Sequence, residues 1–378
     1  LGGVTLNYLG GWSSFTAGLA DLVRSDIESG NNLTLEGFSK KVAIPGSIQM
    51  VPQGSDSIGG SWTGIMCMTY MFALMGIQSS PAFSMWAFSN KTSQAFRWQQ
   101  VFASALFIGV LLFTFTIIQG IGGNLLIERE VIKSANDKTL VPQLINLLSD
   151  STPWLVGLLA VCALAAMQST GAAYMSTFSA MVTRDIFTKF INPNATDSVQ
   201  KLCGRIFVII VTLAALFVAA NSTQAIVMLG GLAVAYGFQM YPALIGLCYY
   251  KGFTKKGVVA GLIVGLIAVT LTDRTSAWFN VPWGAYPLTI HSAGWGIIFN
   301  LFVTFFVSFL LGESSKEKNK KERKHLLLQT VSALNPKRKR QVSLAWVLTL
   351  IWFLVGFGPF ATIGNSLFST GNKVPSSK

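Results

Sequence analysis

Titratable and metal-ligating side chains are scarce in this chain. It holds two histidines, four cysteines and only 11% charged residues among 378, where an ordinary soluble domain carries about 25% charge. So few charges cannot cover a surface that faces water throughout. The cysteines (Cys67, Cys162, Cys203 and Cys248) lie in or beside apolar runs with no Cys-x-x-Cys spacing. That excludes a disulfide framework or a zinc site as the organising device, and they read as small packing residues. From residue 60 onward no Asp or Glu falls inside an apolar segment; Asp21 stands at the edge of the first one, and the histidines are His291, near one end of a segment, and His325, in a polar loop. Proton-driven pumps use intramembrane carboxylates or histidines as relays, so the chain lacks that equipment. The same scarcity speaks against an enzyme. General acid–base work needs paired titratable groups, metal-assisted hydrolysis needs His, Cys and carboxylate clusters, and a serine nucleophile needs a nearby base. The expectation is a non-enzyme with no organic cofactor and no metal beyond a coupling ion. A starting Met and a signal-peptide layout are also missing, for Leu1 already lies in an apolar stretch; by its opening the chain reads as an N-terminally truncated piece.

What is abundant is apolar sequence, 51% of the chain. Runs of about 20 apolar residues are long enough to cross a bilayer as helices, and in hydrocarbon only internally bonded backbone survives. The expected fold class is an all-α, multi-spanning integral membrane bundle forming one transmembrane domain over 1–378. Nine segments can be drawn, at roughly 1–22 (the end of a longer span), 60–89, 98–126, 152–183, 205–220, 224–249, 257–272, 286–311 and 343–366, with a basic loop at 312–342. Alternation through these segments puts most of the 28 lysines and arginines on one side. That side is expected to be cytoplasmic by the positive-inside rule, with the 23–59 and 127–151 loops outside, in a cell membrane of the bacterial inner-membrane type. The net charge of +13 is thereby explained by short loops, and no nucleic-acid partner is expected; the partner is the lipid bilayer. The 312–342 loop, with Lys337–Arg340 reading KRKR, suits either anionic headgroups or plain solvation.

Neutral oxygens are plentiful where charges are not. Ala166, Ser169 and Thr170 stand at i, i+3 and i+4 and share a helix face. Two hydroxyls and a carbonyl so placed can coordinate a hard cation such as Na⁺; equally, hydroxyls in membrane helices bond the i−4 carbonyl or join helices. Spacing alone leaves both open. In segment 60–89, Pro81 removes a helix hydrogen bond and Gly76 is permissive, with Gln78, Ser79 and Ser80 between them at mid-membrane depth. This reads as a broken helix of the kind on which secondary transporters build substrate sites, or as a simple proline kink. Gly261 and Gly265 form a GxxxG pair for close helix packing.

These residues resemble the sodium/solute symporter family. Its signature helix reads A-A-x-M-S-T, then a polar stretch with SS, then T-x-D; here Ala165-Ala166-Met167-Gln168-Ser169-Thr170 is followed by Ser179-Ala180 and Thr183-Arg184-Asp185. Segment Gly76–Ala82 is similar to the family's broken helix, usually G-Q-P, with Pro81 matching and Ser80 in the Gln position; Gly358-Pro359 and Gly364-Asn365 are similar to some members. Gln168 departs from the usual Met but leaves the oxygens in place, and Ala172 and Ala173 stand where the family often has polar residues. The resemblance implies a leucine-transporter-like fold of two inverted five-helix repeats, of which 60–89 to 224–249 would be the second, with further helices after it. It implies Ala166 (carbonyl), Ser169 and Thr170 (hydroxyls) as sodium ligands; the broken-helix reading adds Gln78, Ser79 and Ser80 as substrate-facing residues at the break of Gly76 and Pro81. The implied activity is Na⁺-coupled symport of a small organic solute by alternating access. The alternative is a transporter-like solute-sensing domain without obligatory transport; a channel would need a continuous polar lining, which is not visible.

Overall fold

The computed structural model describes residues 1–34, 37–41, 45–46, 48–49, 62–88, 99–133, 139–221, 226–248, 250, 252–279 and 281–311, with 344 and 347. Segment 343–366, the loop at 312–342 and the Gly358–Asn365 motif lie outside the described residues. Twelve α-helices occur among the described residues, and no strand, only a bridge between Leu33 and Ser39. They are α1 (Gly2–Leu9), α2 (Trp12–Ser29), α3 (Gly64–Met75), α4 (Pro81–Phe88), α5 (Gly109–Glu128), α6 (Leu140–Asn146), α7 (Pro153–Met181), α8 (Asp197–Asn221), α9 (Ile226–Phe238), α10 (Tyr241–Cys248), α11 (Lys255–Thr272) and α12 (Ser292–Leu311). Wider π turns precede α5 over Gln99–Ile108 and continue α7 over Val182–Ile191. Five helical stretches are long and apolar enough to cross a membrane: Leu106–Glu128, Pro153–Ile191, Asp197–Ala220, Lys255–Thr272 and Ser292–Leu311. The fold is that of a multi-spanning helical membrane protein.

Three features differ from the apolar segments drawn on the sequence. Segment 1–22 is two helices, not the tail of one. Gly10 and Gly11 both have left-handed φ (86° and 92°), and their N–H groups close α1 by bonding Asn7 O at 3.1 Å and Leu6 O at 2.8 Å, a C-terminal cap that glycine makes without strain. The stretch at 205–220 lies in a helix that starts at Asp197; its first turns are polar and carry Lys201 and Arg205, so hydropathy misses them. Segment 224–249 is interrupted at Gln239–Met240, and α10 restarts with Pro242 in its first turn, where proline's missing N–H costs nothing.

The chain divides into two compact units, Leu1–Leu19 with Pro81–Ile226, and Ala20–Ser80 with the chain from Val227 on. In the first, α1 lies against α5: a Cβ at Gly122 would meet Thr5 Cγ2 at 2.6 Å, and Arg129 donates from Nη1 to Leu9 O at 3.1 Å. Also in this unit α7 runs beside α8, where Ser179 donates to Gly204 O at 2.9 Å. In the second unit α11 and α12 form the most intimate pair. Gly257, Gly261 and Gly265 of α11 face Ser308, Thr304 and Asn300 of α12, and a Cβ at any of them would collide with those residues. Ser292, Gly296, Asn300, Thr304 and Ser308 recur every fourth residue, all buried, as one inward face of α12. Small residues let backbones approach where lipid supplies no hydrophobic drive between helices. One apolar cluster of this unit joins Ala73, Ala235, Phe238, Val269 and Ala293, and Met66 and Phe253 are fully buried in the same unit.

A bulky residue on the α11 stripe has nowhere to go. Replacing Gly261 with Leu is expected to lower stability by at least about 2 kcal/mol, as overpacking of a dense contact does; the check is the thermal unfolding midpoint of the detergent-solubilised full-length protein.

Candidate functional site

The helix that starts at Gly64 is capped by Thr63, whose hydroxyl accepts from Met66 N at 3.3 Å. It tightens into a 3₁₀ turn over Gly76–Ser79, and the chain resumes as α4 at Pro81. Proline at a helix start explains the interruption, since Pro81 cannot donate to the preceding turn. Gly76 is buried at the break, and a Cβ on it would lie 2.5 Å from Phe238 Cα. This interruption therefore sits backbone-to-side-chain against the last residue of α9, one position before the second interruption at Gln239–Met240. Gln78 is exposed, Ser80 half-buried and Ser79 5% exposed. The Ser79 hydroxyl has no hydrogen-bond partner among the described residues, an uncommitted donor and acceptor at the break.

The second interruption is held by one amide. Asn300 Nδ2 donates to Gln239 O at 2.9 Å and to Gln239 Oε1 at 3.2 Å, while Gln239 Nε2 donates to Ala235 O at 3.1 Å. Thr304 completes the chain by donating to Asn300 Oδ1 at 3.2 Å. These bonds satisfy a main-chain carbonyl that the helix end leaves unpaired.

In the other unit, α7 brings the three sequence-selected oxygens together. Ser169 donates to Ala166 O at 2.9 Å and Thr170 donates to the same oxygen at 3.2 Å. Every residue from Val161 to Thr170 is exposed. The hydroxyls thus adopt the back-bonded geometry common in membrane helices, which leaves their lone pairs directed outward but loads the Ala166 carbonyl with two side-chain donors. A cation taking all three oxygens must first displace those two hydrogens. The half-helix α4 packs beside this stretch: Phe83 and Tyr174, one turn beyond Thr170, meet edge to face with ring centroids 6.3 Å apart. Farther along, Ser179 is committed to Gly204 O, and Asp185 pairs with Lys189 at 2.9 Å. No group of three His, Cys, Asp or Glu side chains suited to a metal ion occurs among the described residues.

One buried acid escapes a reading of the apolar segments because it stands just past the end of one. Asp273, 2% exposed, follows α11 and accepts from Ser292 Oγ at 2.7 Å, Arg274 N at 2.7 Å and the Tyr286 hydroxyl at 3.5 Å. The signal was available as a lone carboxylate one residue beyond a span. His291 lies beside this cluster: its main-chain N–H donates to Thr69 Oγ1 at 2.9 Å, and its ring meets Tyr70 edge-on at 4.9 Å and stacks on Tyr286 at 5.8 Å.

The comparisons with known proteins bear on both elements. The model of the sodium:solute symporter family matches residues 27–265, which takes in the break at Gly76–Pro81 and the Ala165–Asp185 helix. The chain belongs to the sodium:solute symporter family. Among relatives, it is 30% identical to the sodium/proline symporter of Haemophilus influenzae over 134 residues, 34% of this chain and 27% of that protein. It is 27% identical to the high-affinity proline transporter PutP of Bacillus subtilis over 195 residues, 51% of this chain and 39% of that protein. It is 30% identical to the sodium/proline symporter of Escherichia coli over 118 residues, 31% of this chain and 24% of that protein. The chain thus spans well under half the length of the relatives it matches. No solved structure matches it significantly.

Two outcomes are expected here. Gly76→Ala forces a methyl onto the Phe238 backbone and should lower stability by about 1–3 kcal/mol, read as a shift of the unfolding midpoint. Burial pushes the Asp273 carboxyl above its ordinary value, against the opposing hydrogen bonds from Ser292, Arg274 N and Tyr286. The folded state then holds its proton more tightly than the unfolded chain, so stability should rise as pH falls from neutrality toward the ordinary carboxylate range. Asp273→Asn, which can keep the Arg274 and Ser292 contacts, should flatten that part of a midpoint-against-pH profile.

Proposed function

We propose that the protein carrying this chain is a sodium-coupled symporter of a small organic solute. The observation that carries this reading is the family match over residues 27–265, which takes in both the Gly76–Pro81 break and the α7 turn where Ala166, Ser169 and Thr170 present three oxygens on an exposed face. Ala166, Ser169 and Thr170 supply three oxygens to Na⁺, and the remaining ligands come from a helix of the first repeat of a leucine-transporter-like fold. Bound Na⁺ ties α7 to that helix and favours the outward-open form; solute, held near the α3–α4 break by Gln78, Ser79 and Ser80, shifts the population by its differential affinity for the two forms. Breaks at such positions expose backbone groups to a ligand, and the uncommitted Ser79 hydroxyl suits that role. The relatives' names make proline the first solute to try, although Ala172 and Ala173 leave its recognition by this chain open to another small solute. The basic loops face the cytoplasm in this reading. No observation favours the solute-sensing alternative.

The test is Na⁺-gradient uptake of a solute panel, proline included, into proteoliposomes holding the full-length protein. Ser169→Ala with Thr170→Ala is expected to cut Na⁺-stimulated uptake at least about tenfold, loss of one hydrogen-bonding or ligating group alone being worth about a factor of ten, while membrane insertion stays normal. Undiminished Na⁺ dependence in the double variant would retire the site.

A further inference from the structure

We propose that the groove between the far ends of α7 and α8 is a binding site for the headgroup of an anionic phospholipid. The groove measures about 870 Å³ and is open along one side; its lining passes from Arg184, Asp197, Lys201 and Arg205 at one end to Ala180, Val208 and Ile209 at the other. Lys201, Arg205, Val208 and Ile209 follow at i, i+4, i+7 and i+8, so they share one face of α8. Arg184, Lys201 and Arg205 are exposed and have no ion-pair partner among the described residues. The neighbouring acid Asp185 is already engaged by Lys189 at 2.9 Å. Asp197 is the one carboxylate in the lining, so three cations face one anion. The second observation is Thr183. It lines the groove, is 6% exposed, and its hydroxyl has no hydrogen-bond partner among the described residues. A buried hydroxyl left unpaired costs about 1–3 kcal/mol unless something accepts from it or donates to it, and a phosphate oxygen beside three cations does so.

The occupant follows from the chemistry of the two ends. Free phosphate would use only the charged end. An anionic phospholipid uses both, its phosphate among the cations and the start of its acyl chains over Val208 and Ile209. Depth agrees, because α7 and α8 are both long and apolar enough to cross the bilayer, and the groove lies where their apolar sequence gives way to charge, the level of the headgroups. The site is separate from the proposed sodium ligands: its charged end at Arg184 stands fourteen residues along the chain from Thr170, and its test reads lipid binding rather than transport.

The experiment uses the full-length protein in detergent, with dioleoyl phosphatidylglycerol, dioleoyl phosphatidylcholine and inorganic phosphate as probes, lipid retention being counted by native mass spectrometry. Phosphatidylglycerol is expected to be retained over phosphatidylcholine. Each Lys or Arg near an anionic surface contributes roughly fivefold, so Arg184→Gln with Lys201→Gln and Arg205→Gln should lose about a hundredfold in affinity. Arg184→Lys with Arg205→Lys should keep the preference, Thr183→Val should weaken it several-fold, and neutralising Lys337–Arg340 should leave it unchanged. Should the triple variant fail to fold, the wild type decides: in about 1 M salt, where screening acts within about 3 Å, the preference should collapse. Retention of both lipids alike, a preference that survives high salt or the triple variant, or one lost with Lys337–Arg340 instead, overturns the proposal. Displacement of phosphatidylglycerol by millimolar inorganic phosphate would make the groove a phosphate site and overturn its assignment to lipid.

Discussion

Lipid tails are as apolar as leucine, so helices in this chain gain nothing by hiding apolar surface against each other. Cohesion must come from close backbone approach and from hydrogen bonds that hydrocarbon cannot supply. The second unit is built that way. Its glycine stripe on α11 admits Ser308, Thr304 and Asn300 of α12 to contact distance, and hydrogen bonds at Asn300 and Ser308 tie α12 to Gln239 and Thr254. Phe302, Phe306 and Phe309 of α12 are exposed, while Phe305 packs edge to face on the buried Phe253 with ring centroids 4.7 Å apart. Apolar side chains exposed in this way suit a lipid solvent.

The same constraint explains where the helices may stop. An interrupted helix leaves carbonyls and N–H groups that water cannot reach. At Gly10–Gly11 the chain meets this with a left-handed cap, at Gly76–Ser79 with a 3₁₀ turn packed on Phe238, and at Gln239 with the Asn300 amide. Two of these interruptions touch, Gly76 against Phe238, which concentrates the irregular backbone of this unit at one place. Function in a membrane bundle gathers at such places because irregular backbone is tolerated only where protein or a ligand completes it.

Much of this was legible in the residues. Scarce charge and long apolar runs define a helical membrane protein. Pro81 with Gly76 marks the first interruption, and the Ala165–Asp185 pattern marks the family. The corner at Gln239 was equally marked, by Pro242 in the opening turn of α10, but a hydropathy reading passes over a proline inside an apolar run. The polar start of α8 was invisible for the opposite reason: helical hydrogen bonds continue into water, whereas apolar sequence does not. What no one-dimensional pattern carries is pairing. That Asp273 would meet Ser292, or that Ser179 would bond Gly204 rather than an ion or solute, depends on which helices lie side by side.

The double grip of Asn300 on Gln239 has a bearing on how this sequence can drift. An amide that serves a side-chain oxygen and a main-chain oxygen at once has no equal substitute: aspartate would set a negative charge against two carbonyls, and leucine would leave both unserved. The exposed positions between the rungs, Phe302 and Phe309 among them, have no hydrogen bond to keep. Neighbouring residues on one helix should therefore diverge at very different speeds, fast on the phenylalanine side and slowly along every fourth position, so that the tempo of change alternates within a single turn.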